Sequence, residues 1–86
     1  MRREFRVVFA LLLSRTTAFA GRRRVFRREE AIELLRGVLV KVNDADIESV
    51  LAPIIDQAQA AYGDVTLVER PNVVDPLLDM RLALIG

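Results

Sequence analysis

Apolar residues recur through much of the chain at the three- and four-residue spacing of an amphipathic helix. The pattern is clearest over residues 44–62, where it runs from Ile47 to Tyr62 and ends at Gly63. Aspartates ahead of the first apolar position supply an N-cap and favourable charge for the first turn. Pro53 lies inside this helix, and we expect it to bend or divide the helix because proline has no backbone N–H.

Residues 4–20 fit two kinds of secondary structure. As a helix, the segment gathers its large apolar side chains on one side, and Gly21 follows where a C-cap glycine belongs. As a strand, it is apolar on both faces, which is typical of a buried central strand. Its length and the glycine favour the helix, and the buried strand is the alternative.

The N-terminal residues also have the shape of a secretory signal, with a basic start and the apolar run Val7–Leu13. The run is short, however, and Arg15 follows it closely. We therefore expect this segment to belong to the fold. Together with the absence of cysteine, this favours an intracellular or cytoplasmic location.

Residues 28–42 are expected to contain a helix followed by a strand. Acids near the start favour a helix over 28–36, Gly37 is a natural stop, and the β-branched residues among 38–42 favour a strand. The alternative is one helix that continues through Gly37 to Val42, at a cost of about 1 kcal/mol for the glycine.

The C-terminal part predicts one more strand and one more helix. The strand lies over 65–69, and Asp75-Pro76 starts a short helix over 76–85, with an N-cap followed by a proline at the first helical position. A strand over 80–85 is the weaker alternative.

These elements define the expected fold class as α+β, a small and mostly helical single domain over residues 1–86. Its centre is a short βαβ unit, in which strands near 38–42 and 65–69 flank the helix 44–62 with a right-handed crossover. Two strands make a poor sheet, so a third strand is expected from the N-terminal segment or from another subunit. No internal repeat is apparent in the sequence.

The composition favours assembly with a partner. The chain has 86 residues, of which 52% are apolar, and it has no cysteine for disulfides. A chain this short buries only about two-thirds of the surface that it exposes when unfolded, so part of its apolar surface is expected to face a partner. No apolar stretch reaches the roughly 18 residues of a membrane span. The apolar residues expected in the core or at an interface are Phe5, Val8, Phe9, Leu12, Ile47, Leu51, Ile54 and Ile55.

Charge divides the chain into a basic and an acidic part. Residues 1–28 carry nine arginines and one acid, whereas residues 29–86 carry four basic residues and eleven acids. The basic segment, which we define as residues 21–28, contains five of those arginines and is expected to be an exposed docking loop. Its candidate binding residues are Arg22, Arg23, Arg24, Arg27 and Arg28, together with Phe26.

The basic segment supports two functional hypotheses. Guanidinium groups suit bidentate contacts with carboxylates, so the leading hypothesis is a structural or interaction subunit of a homo- or hetero-oligomeric assembly that docks on an acidic partner surface. The alternative is a small nucleic-acid-binding protein, a regulator or accessory factor, in which the arginines neutralise phosphates and Phe26 stacks on an unpaired base. One form of this alternative is a ribbon-helix-helix arrangement, with residues 22–28 as the strand and two helices after it. A third interpretation is a solvated basic surface without a partner.

Catalytic, cofactor and metal chemistry are not expected. The chain has neither histidine nor cysteine, so the commonest general base, the thiol nucleophile and the usual transition-metal ligands are missing. Asp44, Asp46 and Glu48 resemble the start of a calcium loop. However, Ser49 and Ile55 stand where that loop requires glycine and glutamate, so these acids are expected to form a solvated helix N-terminus.

Overall fold

Helices make up most of the chain, and two short strands connect them. The computed structural model describes residues 3–42 and 44–85. The fold is a small α+β domain that is mostly helical, as the sequence predicts, and its N-terminal segment is the expected helix. The six elements are α1 (Arg3–Ala20), β1 (Val25–Arg27), α2 (Arg28–Val42), α3 (Ala45–Tyr62), β2 (Leu67–Glu69) and α4 (Pro71–Ile85).

The strand predicted over 38–42 is wrong, because α2 continues as a helix to its end. Val38 is buried and extends the buried helical line that begins with Ala31 and Leu35. Packing of this line in the core outweighs both the β-propensity of the valines and the cost of Gly37. The alternative of one uninterrupted helix is the one that is confirmed.

The predicted βαβ unit is therefore also wrong. The two strands of the structure pair antiparallel, with Phe26 of β1 opposite Val68 of β2. The second of them matches the strand expected over 65–69. The first lies inside the basic segment, which the sequence places in a loop. Phe26 is only 1% exposed, and its buried ring anchors this part of the segment to the core.

Helix α3 matches its predicted bounds and passes through Pro53 without a break. Proline removes the donor for the carbonyl of Ser49, but both residues are exposed, so water can bond that carbonyl. At the start of the helix, Asp44 Oδ1 accepts hydrogen bonds from the N–H groups of Asp46 and Ile47, at 2.9 and 3.1 Å. The predicted aspartate cap is therefore confirmed.

Helix α4 begins earlier than the helix predicted over 76–85. Pro71 occupies its first position, where a missing N–H costs nothing. The carbonyl of Arg70 accepts hydrogen bonds from the N–H groups of Val73 and Val74, at 3.0 and 2.9 Å. The helix therefore has an additional turn and a half before the predicted start.

Pro76 consequently lies inside α4, where it interrupts one helical hydrogen bond. The carbonyl of Asn72, four residues earlier, has no intrahelical donor because proline lacks the N–H. The Tyr62 hydroxyl donates a hydrogen bond to this carbonyl at 2.7 Å. The end of α3 is thus joined to α4 at the point that the proline leaves open.

The order of the elements repeats across the two halves of the chain. The unit α1–β1–α2 contains elements of 18, 3 and 15 residues, and the unit α3–β2–α4 has the same three lengths. The strand pair lies between the units, where Phe26 faces its counterpart Val68. Helix α1 packs mainly on α4, and α3 packs on both α2 and α4. The two units therefore share one element order and meet at the paired strands β1 and β2, which we call the ribbon, but their helices pack unequally.

The same positions are buried in both units, although the sequence shows no repeat. Seven buried residues of the first unit have a buried counterpart 42 positions later. Only one of the seven pairs is identical, so the repeat is one of burial rather than of residue identity. The pairs are Phe9 and Leu51, Leu13 and Ile55, Ala20 and Tyr62, Phe26 and Val68, Ala31 and Val73, Leu35 and Leu77, and Val38 and Met80.

Arg28 and Arg70, which occupy equivalent positions in the two units, form hydrogen bonds between the units. The backbone N–H of Arg28 donates to the carbonyl of Thr66 at 3.1 Å, and that of Arg70 donates to the carbonyl of Arg24 at 2.9 Å. The Nε atoms of the same two arginines each donate to a further carbonyl of the opposite unit, at 2.6 Å in both cases. These bonds hold the two connecting loops beside the ribbon.

Replacing Gly37 by alanine is expected to stabilise the protein by about 0.5–1 kcal/mol. Gly37 lies inside α2, and a Cβ at this position meets no atom within 4 Å. The substitution therefore reduces the freedom of the unfolded chain without a clash. Urea denaturation followed by circular dichroism measures the change.

The matched control for this prediction is Gly63→Ala, which is expected to destabilise the protein. Gly63 is the C-cap of α3 with a φ of 59°, in the left-handed region that residues with a Cβ avoid. Equal effects of the two substitutions would contradict the expected difference between the two glycine positions.

Candidate binding surfaces

The basic segment contains arginines that serve the fold. Arg23 Nη1 donates to Glu30 Oε2 at 2.8 Å, and the guanidinium carbon lies 4.8 Å from the centroid of the Phe26 ring. Arg28 Nε donates to the carbonyl of Gly63 at the end of α3. Of the five arginines expected to meet a partner, these two are therefore engaged within the chain.

The ion pair between Arg23 and Glu30 reinforces this arrangement. The hydrogen bond from Arg23, and after it one from the backbone N–H of Arg27, lowers the pKa of the Glu30 carboxyl. The same bond to Glu30 raises the pKa of Arg23. Because both side chains are exposed, the pair contributes little to stability, and its main effect is to hold the guanidinium over the Phe26 ring.

The other three arginines, Arg22, Arg24 and Arg27, are exposed, and within the described chain their side chains form no hydrogen bond or ion pair. Arg27 stands opposite Leu67 on the outward side of the ribbon, next to exposed Val25. This part of the basic segment therefore combines available positive charge with apolar surface.

Stacking of Phe26 on an unpaired base, as the alternative hypothesis requires, does not fit this structure. The ring is buried between the ribbon and the helices, and Arg23 covers it from the segment side. Contacts of the basic segment with a partner would have to come from its arginines and from Val25.

The apolar residues proposed for the core or an interface fall into three groups. Phe9, Ile47, Leu51 and Ile55 belong to the core. Leu12 and Ile54 are partly buried against it, whereas Phe5 and Val8 are about half exposed. The last two residues belong to a larger apolar surface.

That surface is the outer face of α1, which we define by five large apolar side chains that point away from the core. Each is about half exposed or more, from 49% for Phe5 to 61% for Leu11. Helix α4 carries a second exposed apolar line, with side chains at spacings of four and three residues. The outer face of α1 consists of Phe5, Val7, Val8, Leu11 and Phe19, and the line on α4 of Leu78, Leu82 and Ile85.

A groove between α3, β2 and α4 has a volume of about 650 Å³. Its lining combines apolar side chains with three carboxylates, those of Glu69, Asp75 and Asp79. No arginine or lysine is among its lining residues. We call it the acidic groove. Its other lining residues are Ile54, Gln57, Ala58, Ala61, Tyr62, Val65, Leu67, Val68, Asn72 and Pro76.

Sequence reasoning did not identify the acidic groove. The four-residue spacing of Asp75 and Asp79 is a usable signal, but only when α4 is known to include both residues as a helix. The contribution of Glu69 depends on the pairing of β2 with β1, which the sequence does not indicate.

Tyr62 connects the acidic groove to the core. Burial raises the pKa of its hydroxyl above the ordinary value, so the group stays protonated and keeps its hydrogen bond to the Asn72 carbonyl. The tyrosine thus forms a fixed wall of the groove.

Over the residues that the structure describes, no three acidic side chains gather into a candidate metal site. In the same residues, no helix combines the length and the apolar content that crossing a bilayer requires. Comparisons with protein-family models, curated protein sequences and solved structures gave no match. Functional inference therefore depends on the surfaces described above.

Proposed function

We propose that this protein is a non-enzymatic interaction subunit of a larger assembly. It docks through apolar helix faces and through the arginines of the basic segment onto an acidic partner surface. The observation that carries this proposal is the outer face of α1, with five large apolar side chains exposed on one helix. Large apolar side chains exposed along one helix are typical of protein interfaces.

The repeated architecture supports the same conclusion. Phe5 occupies the position in the first unit that Ile47 occupies in the second, 42 residues later. Ile47 is completely buried, whereas Phe5 is 49% exposed. The first unit therefore lacks, at the start of α1, the cover that the second unit has, and a partner would supply it.

The unpaired arginines supply the polar part of the interface. Arg22, Arg24 and Arg27 are exposed and flank Val25, so that the segment presents cationic groups on both sides of an exposed apolar side chain. Guanidinium groups form bidentate hydrogen bonds with carboxylates, and such pairs add orientation as well as affinity. An acidic protein surface with an apolar centre fits this pattern.

Photo-crosslinking in the cells that make the protein tests the proposal. A photoreactive amino acid in place of Val25, whose side chain points outward between the arginines, is expected to form a covalent adduct with a protein. The adduct should resist nuclease and should be strongly reduced when Arg22, Arg24 and Arg27 are changed to glutamate. A second probe at Leu11 tests the outer face of α1 in the same way.

The matched control places the photoreactive residue at Ser49 of α3, an exposed position that belongs to neither the basic segment, the outer face of α1 nor the acidic groove. Absence of a protein adduct at both test positions would contradict the proposal. So would adducts that nuclease treatment removes.

The competing function is nucleic-acid binding, and the same three arginines favour it. A labelled random-sequence oligonucleotide, single- and double-stranded, is titrated over a salt series. Three phosphate contacts predict a slope of about −2 to −3 in log affinity against log salt. The variant with Arg22, Arg24 and Arg27 changed to alanine should lose most of that slope. Failure of the wild type to bind at low salt would exclude this function.

A further inference from the structure

The acidic groove has a counterpart in the first unit, and the two differ in how they are filled. The counterpart cavity has a volume of about 300 Å³, less than half that of the groove. Phe19 stands there at the position of Ala61 in the groove. Arg23 stands at the position of Val65. Larger side chains of the chain itself thus occupy space that is open in the second unit.

Arg23 lines the counterpart cavity of the first unit and brings a positive charge to it. Its guanidinium lies over the Phe26 ring and bonds Glu30. In the acidic groove, Val68 takes the place of Phe26, and none of the lining residues brings a positive charge to it. Asn72 takes the place of Glu30, so the ring and the carboxylate that hold Arg23 both lack a counterpart in the groove. An arginine that enters the groove would pair instead with the three carboxylates that line it.

The carboxylates that line the groove form no ion pair among the described residues. Glu69, Asp75 and Asp79 line the groove, and the ion pairs found among the described residues, Arg23 with Glu30 and Arg36 with Asp56, involve none of them. A lining that combines carboxylates with apolar side chains complements a segment in which exposed arginines flank an apolar side chain.

The chain itself contains such a segment. We propose that the acidic groove binds the basic segment of a second copy of this protein, with Arg22 and Arg24 of that segment paired with the carboxylates that line the groove. Opposite charges on the two units favour this contact. Residues 3–42 carry ten basic and four acidic side chains, and residues 45–85 carry two basic and seven acidic ones. The inference rests on the proposed function and names its partner.

Both contacts of such a pair fit one twofold axis. The basic segment leads into β1, and β2, its antiparallel neighbour, lines the groove, with Val25 opposite Glu69. Two copies that face each other at their ribbons can therefore each place a basic segment in the groove of the other. Closed twofold dimers are the commonest symmetric assembly, and here each contact would be made twice.

Analytical ultracentrifugation of the full chain over a concentration series tests this inference. The wild type is expected to associate into dimers, more weakly as salt rises. The segment variant Arg22→Glu/Arg24→Glu leaves the internal contacts of Arg23 intact. The groove variant is Asp75→Lys/Asp79→Lys. Each variant alone is expected to have a dimer dissociation constant raised roughly tenfold or more, because like charges then meet at the contact.

Mixing the two variants provides the decisive measurement. In a mixed dimer, the charge-reversed basic segment of one copy contacts the charge-reversed acidic groove of the other. The second contact of the dimer joins a native basic segment and a native groove. The mixture is expected to regain dimers of near wild-type strength. The control Asp46→Lys/Glu48→Lys changes the net charge as the groove variant does, at exposed positions in the first turn of α3, and should still dimerise. Circular dichroism verifies that every variant is folded.

Three results would overturn the inference. They are a monomeric wild type throughout the series, an equal loss of association in the control, and a mixture that stays as weak as its parts. The photo-crosslinking experiment distinguishes failure of this inference from failure of the proposed function. If the probe at position 25 crosslinks to a different protein, the proposed function stands, but a second copy as the partner is excluded. A crosslink to a second copy gives an adduct of twice the chain mass of 9.7 kDa.

Discussion

Replacing Phe26 by alanine is expected to lower the free energy of unfolding by about 3–5 kcal/mol. The ring is 1% exposed at the centre of the β1–β2 pair, where the two units meet. Its removal leaves a cavity between them and takes away the surface on which Arg23 lies. Since small domains have a total stability of about 5–15 kcal/mol, this one substitution is expected to remove a large part of it.

The matched control for this prediction is Phe19→Ala. Phe19 is also aromatic and lies only seven positions earlier, but it is about half exposed on α1. Its truncation is expected to cost less than about 1 kcal/mol, because a surface substitution leaves no core cavity. Urea denaturation of both variants measures the difference. Similar losses for the two would show that Phe26 does not occupy the structural centre assigned to it.

The helices could be predicted from the sequence where the apolar spacing was long and the ends were marked. Residues 4–20 and 44–62 have both features, and the structure contains helices with nearly those bounds. Over 38–42, the β-propensity of the residues and their packing in the core favour different secondary structures. The valines there favour a strand as isolated residues, but Val38 completes a buried helical line, and tertiary packing decided the outcome.

The ribbon and the repeat could not be predicted because they depend on contacts between distant residues. Only one buried side chain, Phe26, places the basic segment in a strand, and its partner Val68 is 42 residues away. The repeated burial pattern is hidden because pairs such as Ala20 and Tyr62 differ greatly in size. The signal present in the sequence is the recurrence of apolar residues, rather than identical ones, 42 positions apart.

The candidate surfaces were predicted in part. The arginine run was visible at once, but the sequence treats all five arginines alike. Only the structure separates Arg23 and Arg28, which bond within the chain, from the other three. The acidic groove could not be predicted from the sequence, because its carboxylates line one concavity only when α3, β2 and α4 pack together.

Replacing Tyr62 by phenylalanine is expected to cost about 1–2 kcal/mol, a large effect for the loss of one oxygen atom. The Tyr62 hydroxyl donates to the Asn72 carbonyl, which has no helical donor because Pro76 stands four residues later. The variant therefore leaves a partly buried acceptor without its partner. Urea denaturation at neutral pH measures the loss.

A double-mutant cycle with Pro76→Ala distinguishes this explanation from a simple loss of packing. Alanine at position 76 has an N–H that can bond the Asn72 carbonyl within the helix. Tyr62→Phe is then expected to cost clearly less than it does in the wild type. An undiminished cost in the Pro76→Ala background would show that the proline is not the reason for the Tyr62 hydrogen bond.

The pH dependence of stability provides an independent measure of the same hydroxyl. Burial raises the pKa of Tyr62 in the folded protein, whereas the unfolded chain releases this proton near pH 10. The contribution of the protonated hydroxyl is therefore fully present below about pH 10 and is lost as the pH rises through the raised folded value. Tyr62→Phe lacks this titration, so its stability deficit relative to the wild type should shrink in strong alkali. A deficit that stays constant across this range would mean that the hydroxyl is already open to solvent, and that the wall it forms for the acidic groove is not fixed.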